Sequence, residues 1–103
     1  MIPSYALSSA AEADLRDIVR YTRKQWGDAQ ARAYVASLKI CIERIASGCS
    51  VSRDMAGLYP GLRMSRCEHH YIFCLPRNGA PALIVAIFHE RMDLMVRLAD
   101  RLR

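Results

Sequence analysis

The chain has 103 residues, 52% of them hydrophobic, enough to bury one core and too few for two, so a single domain over 1–103 is expected and a second activity is not. The first ten residues lack a basic start followed by an apolar run, and no stretch approaches the roughly eighteen apolar residues of a membrane span; the expectation is a soluble, cytoplasmic protein with no membrane partner. The net charge of +5 comes from thirteen arginines and two lysines spread along the whole chain, which allows nucleic acid or an acidic protein as partner and does not choose between them.

Taken in order, Ser4 to Leu7 can form a short strand. Ser9-Ala10-Ala11-Glu12 reads as a capping box, and Ala11, Leu15, Ile18, Val19, Thr22 and Trp26 then recur at helical spacing until Gly27. Asp28 is placed to cap a second helix, whose stripe is Ala31, Tyr34, Val35, Leu38, Cys41, Ile42 and Ile45, ending at Gly48. So short a link forces an antiparallel helical hairpin, and Trp26 and Tyr34 are expected as its core anchors.

From Gly48 to Gly61 the apolar period vanishes, and a loop is expected. Leu62 to Cys67 opens the sheet with Leu62 and Met64 on one face and Arg63 and Ser65 on the other, so that Arg63 and Arg66 diverge and form no common clamp. Glu68-His69-His70 is the turn into a hairpin of Tyr71–Leu75 and Leu83–Phe88, with Asn78-Gly79 between them. Residues 83–88 hardly alternate, which suits a central strand covered on both faces. Asp93 can cap a last helix, Leu94 to Leu102, with Leu94, Met95, Leu98 and Leu102 on one side. The fold class is α+β: a short N-terminal strand, an antiparallel helical hairpin packed on one face of a mainly antiparallel three- to four-stranded sheet, and a short C-terminal helix.

Several constellations carry little chemistry. Cys41, Cys49, Cys67 and Cys74 contain no C-x-x-C pair and read as reduced, mostly buried thiols. Cys67, His69, His70 and Cys74 have zinc-ligand types at a spacing that matches no established zinc site, and no Gly-rich phosphate loop is present, so no metal and no cofactor are expected. His89 and Arg91 are different. An imidazole beside guanidinium groups where a buried strand leaves the core can act as general acid or base on an RNA 2′-hydroxyl. The competing reading is a polar strand exit in which Glu90 and Asp93 pair with Arg91 and Arg97.

Four segments, in order, resemble the ParE branch of the RelE/ParE toxin superfamily: Leu7-Ser8-Ser9-Ala10-Ala11-Glu12-Ala13-Asp14-Leu15, the Tyr-Thr…Trp-Gly end of the first helix, Pro60-Gly61-Leu62-Arg63, and above all His89-Glu90-Arg91-Met92-Asp93. The resemblance implies the toxin of a type II toxin–antitoxin pair, held in a hetero-oligomer by a ParD-like antitoxin. ParE-type toxins inhibit DNA gyrase, whereas RelE-type toxins cleave mRNA on the ribosome. RelE-like nucleases use a basic and aromatic set, often with a late tyrosine; here no tyrosine follows Tyr71, and Lys24 and Lys39 both lie in the helical hairpin.

The expectation is therefore a gyrase-inhibiting toxin that acts by binding, without catalysis or sequence-specific nucleic-acid binding of its own. Arg63, Arg66, His70, His89 and Arg91 are the candidate contacts to antitoxin or target. The antitoxin is expected to lay an amphipathic segment across hairpin and sheet, by helix-in-groove docking or strand addition. The alternative is a ribosome-dependent endoribonuclease with His89 as acid or base and Arg91 on the phosphate. A third possibility is a toxin fold that serves only as a binding partner.

Overall fold

A computed structural model describes residues 5–48 and 51–102. The elements run β1 (Tyr5–Leu7), α1 (Ser9–Trp26), α2 (Asp28–Ala46), β2 (Arg53–Asp54), β3 (Arg63–Cys67), β4 (His70–Leu75), β5 (Ala82–His89) and α3 (Leu94–Arg101). The sheet order is β1-β5-β4-β3-β2, with β1 parallel to β5 and every other pairing antiparallel. The α+β architecture is the expected one. The expected start of the first strand at Ser4 and the thiol of Cys49 lie outside the described residues.

The helix caps differ in detail from the reading of the sequence. Ser8, not Ser9, is the N-cap of α1, and its hydroxyl accepts from the Ala11 amide at 3.0 Å. Ser8 takes that place because the β1 ladder extends to it, its own amide donating to the Ile84 carbonyl. Gly27 ends α1 and caps α2 in one residue at φ +91°, a conformation open to glycine at little cost, so Asp28 is the first residue of α2 rather than its cap. Asp93 does cap α3, accepting from the Val96 amide.

β5 explains the two-sided core. Phe73 faces Ala86 and Cys74 faces Ile84 across β4 and β5, which leaves Val85 as an extra residue and makes a β-bulge. Ile84 and Ile87 pack with Ile72, Leu38 and Ile42 beneath the helical hairpin, while Ala86 and Phe88 pack with Phe73, Leu62 and Leu98 on the other face. Burial of each such aliphatic or aromatic side chain is worth about 1.5–3 kcal/mol. The expected covering of this strand on both faces is therefore found, with the helical hairpin on one face. α3 covers the face opposite α1 and α2, using Leu94, Leu98 and Leu102, with Met95 turned outward.

Two further expectations fall. The region after Gly48 is not only loop, because Arg53 and Asp54 pair with Met64 and Arg63 and extend the sheet. Cys41 and Cys67 are joined by a disulfide between α2 and β3, with Cα atoms 6.1 Å apart, and Cys74 is a buried thiol. Their proximity arises from packing α2 on the sheet, which no spacing along the chain reports.

Candidate partner-binding cleft

One end of the sheet, where β3 turns into β4 and β5 leaves the core, faces the overhanging tip of the helical hairpin. Between them lies a cleft of about 930 Å³. Its helical wall carries Ile18, Tyr21, Trp26 and Tyr34, and its sheet wall carries His69, His70, His89, Glu90 and Arg91. Trp26 is 71% exposed and Tyr21 63% exposed. The expected core role of Trp26 is thus wrong: it is the last residue of α1 and lines the open cleft instead of the packed core.

The floor of the cleft is a chain of hydrogen bonds. The Tyr34 hydroxyl accepts from the His69 amide at 3.2 Å and donates to Nδ1 of His70 at 2.6 Å. His70 is buried, and its ring stands edge-on to that of His89, its partner across β4 and β5, with centroids 5.1 Å apart. Burial first, and the neighbouring His89 and His69 next, push the His70 pKa from 6.5 down to about 4, so the ring is neutral near pH 7. Burial also raises the Tyr34 phenol above its ordinary value. The Arg91 amide donates to Nδ1 of His89 at 3.1 Å, which leaves Nε2 as the ring nitrogen free to donate.

Beside this floor, Glu90 accepts from Nδ1 of His69 at 3.2 Å and pairs closely with Arg66. Desolvation pushes its carboxyl up, but the His69 hydrogen bond and the charges of Arg66, His69 and His89 together outweigh it and hold the carboxyl below the usual range. Arg66 also donates to the Glu68 carbonyl at 3.2 Å and lies over the Tyr71 ring. The polar strand exit therefore exists with different partners from those expected. Glu90 pairs with Arg66 rather than Arg91, Asp93 is a helix cap, and Arg91 has no ion pair among the described residues.

Of the five candidate residues, four converge here: Arg66, His70, His89 and Arg91. Arg63 does not. It lies toward the other end of β3, opposite Cys74, where its guanidinium donates to the hydroxyl and carbonyl of Ser52 at 2.6 and 3.2 Å. The divergence of Arg63 and Arg66 is as the strand period requires. Tyr34, Tyr21, Trp26 and Glu90 belong to the cleft and were read otherwise or passed over; the one available signal was the placing of Gln30 and Tyr34 a helical turn apart on the side of α2 that follows the Trp-Gly end.

Among the described residues no three potential metal ligands converge, and no helix is long and apolar enough to cross a membrane. The cleft thus offers an aromatic and aliphatic wall, a floor centred on the neutral His70 ring, and at its rim Arg91, which has no ion pair among the described residues. That combination suits an amphipathic partner segment better than a polyanion, since most of the charges around it are already paired.

Residues 5–94 match the family model described as the ParE toxin of the type II toxin–antitoxin system parDE. The chain is 63% identical over 100 residues to Toxin ParE of Escherichia coli, covering 97% of each chain. It is 32% identical over 94 residues to Toxin ParE1 of Mycobacterium tuberculosis (strain ATCC 25618 / H37Rv) and 33% identical over 94 residues to Toxin ParE1 of Caulobacter vibrioides, covering 91% of this chain and 96% of each relative. A solved structure titled the chromosomal ParDE TA system from P. aeruginosa shares the fold, with a TM-score of 0.67 at 18% identity over 85% of this chain and 96% of that one.

Proposed function

Since the chain belongs to the ParE toxin family of type II toxin–antitoxin systems, we propose that this toxin acts in the cytoplasm by binding DNA gyrase, without catalysis of its own, as a single toxin domain over 1–103. Its partner in the ParDE pair is an antitoxin, and the cleft at the hairpin tip is the proposed seat of an amphipathic antitoxin segment. Arg66, His70, His89 and Arg91 form the polar side of that surface, and Trp26 and Tyr21 the apolar side. Arg63 holds the β2 loop and stands apart from it.

The observation that carries the binding reading is the commitment of the polar groups. His70 is neutral and bonded to Tyr34, His89 has Nδ1 occupied by the Arg91 amide, and Arg66 is held by Glu90. A general acid or base must exchange protons near neutral pH, and a phosphate clamp needs free guanidinium groups. His70 and Arg66, being committed within the fold, do not meet these requirements, and Arg91 alone at the rim makes no clamp. Purified toxin in excess should inhibit gyrase supercoiling and accumulate cleaved DNA; a preparation that does neither sinks the gyrase reading.

A ribosome-dependent endoribonuclease is the second reading, favoured by one feature: two exposed aromatic rings, which can stack on bases, share the cleft with His89 and Arg91. It requires that wild-type protein cleave translated message and that His89→Ala abolish cleavage while antitoxin binding survives. Absence of cleavage by the wild type rules it out.

A further inference from the structure

Tyr34 and Cys41 lie about two turns apart on one side of α2, and both reach the β3–β4 hairpin. Tyr34 bonds to the His69 amide and the His70 ring, and Cys41 is joined to Cys67. Cys67 and His70 are register partners on either side of the turn. The covalent bond therefore enters the sheet at the residue directly opposite the ring that forms the cleft floor. α2 packs on α1 and on the sheet, and the Tyr34 hydroxyl is a hydrogen-bonded link from α2 to the β3–β4 turn.

We propose that the Cys41–Cys67 disulfide is a redox latch on the cleft: when oxidised it holds α2 at the spacing at which Tyr34 reaches His69 and His70, and when reduced it lets the hairpin tip draw away from β4 and opens the cleft. The reductant is a dithiol. Its thiolate attacks the sulfur of the half-buried Cys41, and the S–S bond breaks with Cys67 leaving as a thiolate that takes up a proton. The second thiol of the reductant then displaces Cys41, which is protonated in turn; two electrons pass to the cysteine pair, and the reductant ends as a disulfide. Cys74 does not compete, because it is buried and burial raises its pKa.

The bond closes a sequence separation of 26 residues, for which the loop-entropy model gives a shift in the folding equilibrium on the order of a few hundredfold. The hydrophobic contacts of Leu38 and Ile42 persist without it. Reduction is thus expected to loosen the hairpin tip while the fold survives. In a reducing cytoplasm, disulfides of this kind are transient and serve as sensors.

The test uses the full chain, oxidised and then treated with dithiothreitol, with the histidine rings followed by NMR across a pH series. In the oxidised protein His70 should stay neutral down to about pH 4. On reduction its midpoint should rise by at least one unit toward 6.5, α2 amides near Tyr34 should exchange at least tenfold faster, and Trp26 emission should change. Cys74→Ser should leave this response intact, and Cys41→Ser should show the reduced behaviour without reductant. An unchanged His70 titration and unchanged exchange in the reduced wild type would overturn the latch. So would complete unfolding on reduction, seen by circular dichroism, because the bond would then be a staple and not a switch.

Discussion

Asp14 and Arg101 close the exposed edge of β5. The Arg101 guanidinium reaches Asp14 through both terminal nitrogens, at 2.9 and 3.0 Å, and the same carboxylate accepts from the Ile87 amide at 3.0 Å. Arg101 also donates to the carbonyl of Val85, the bulged residue, at 3.0 Å. β1 pairs only with residues 82–84 of β5, so the strand beyond Ile84 would otherwise present free ladder groups. The pair ties α1 to α3 around the sheet edge and occupies the place where a partner strand would add. Of the two docking modes expected for the antitoxin, this geometry disfavours strand addition at β5.

Removing one partner should be expensive. Asp14→Ala leaves the Ile87 amide without its acceptor and the largely buried Arg101 guanidinium without its counter-charge, and the expected loss is about 2–4 kcal/mol. Asp14→Asn keeps an acceptor and should lose less. Urea denaturation measures both, and an Asp14→Ala protein within about 0.5 kcal/mol of wild type would remove this account of the edge.

Acid should weaken the fold through His70. Its folded-state pKa of about 4 lies below the unfolded value of 6.5, so between those values the unfolded chain binds the proton and the native state does not. The contribution is fully present above pH 6.5, falls as the pH drops through the window, and levels off below pH 4. Allowing for solvent that reaches the ring from the cleft, it amounts to about 2 kcal/mol. Comparing His70→Leu with wild type from pH 7 to 4 should show the slope reduced by that amount; parallel curves would show that His70 is not its source.

Trp26 is the sole tryptophan and stands largely in solvent. Trp26→Ala should change stability by no more than about 0.5 kcal/mol. Antitoxin binding should shift Trp26 emission to the blue, and the alanine variant should bind at least tenfold more weakly, as expected of an aromatic anchor. Emission that stays unchanged in the complex would move the antitoxin away from this cleft.

Arg63 and Arg91 should separate structure from binding. Arg63→Ala loses two hydrogen bonds to Ser52 and should cost about 1–2 kcal/mol of stability with partner affinity intact. Arg91→Ala should do the reverse, since its side chain has no ion pair among the described residues. Matched denaturation and affinity titrations decide it, and equal effects of the two substitutions would contradict the division.

The helices were legible in the sequence because their apolar positions recur with the helical period and their stops are Gly27 and Gly48. The two-sided burial of β5 was legible from the lack of alternation between Leu83 and Phe88. Trp26 was misread because periodicity assigns a residue to a stripe without saying whether the sheet extends far enough to cover it. His89 and Arg91 were marked by their place at a strand exit, whereas Tyr34 looked like core, since a phenol in an apolar stripe gives no sign that its hydroxyl will meet a histidine 36 positions away.

By itself the sequence determined the local order of elements and the family, because capping, turn and periodicity signals act over a few residues and the diagnostic segments are contiguous. Only the tertiary structure decided which polar groups meet. Arg66 rather than Arg91 is Glu90's partner, Arg101 closes an edge beside Asp14, and Cys41 lies against Cys67. Those pairings depend on the crossing of α2 over the sheet, the bulge at Val85 and the side on which α3 returns. These are consequences of packing a two-sided core, and a linear pattern does not carry them.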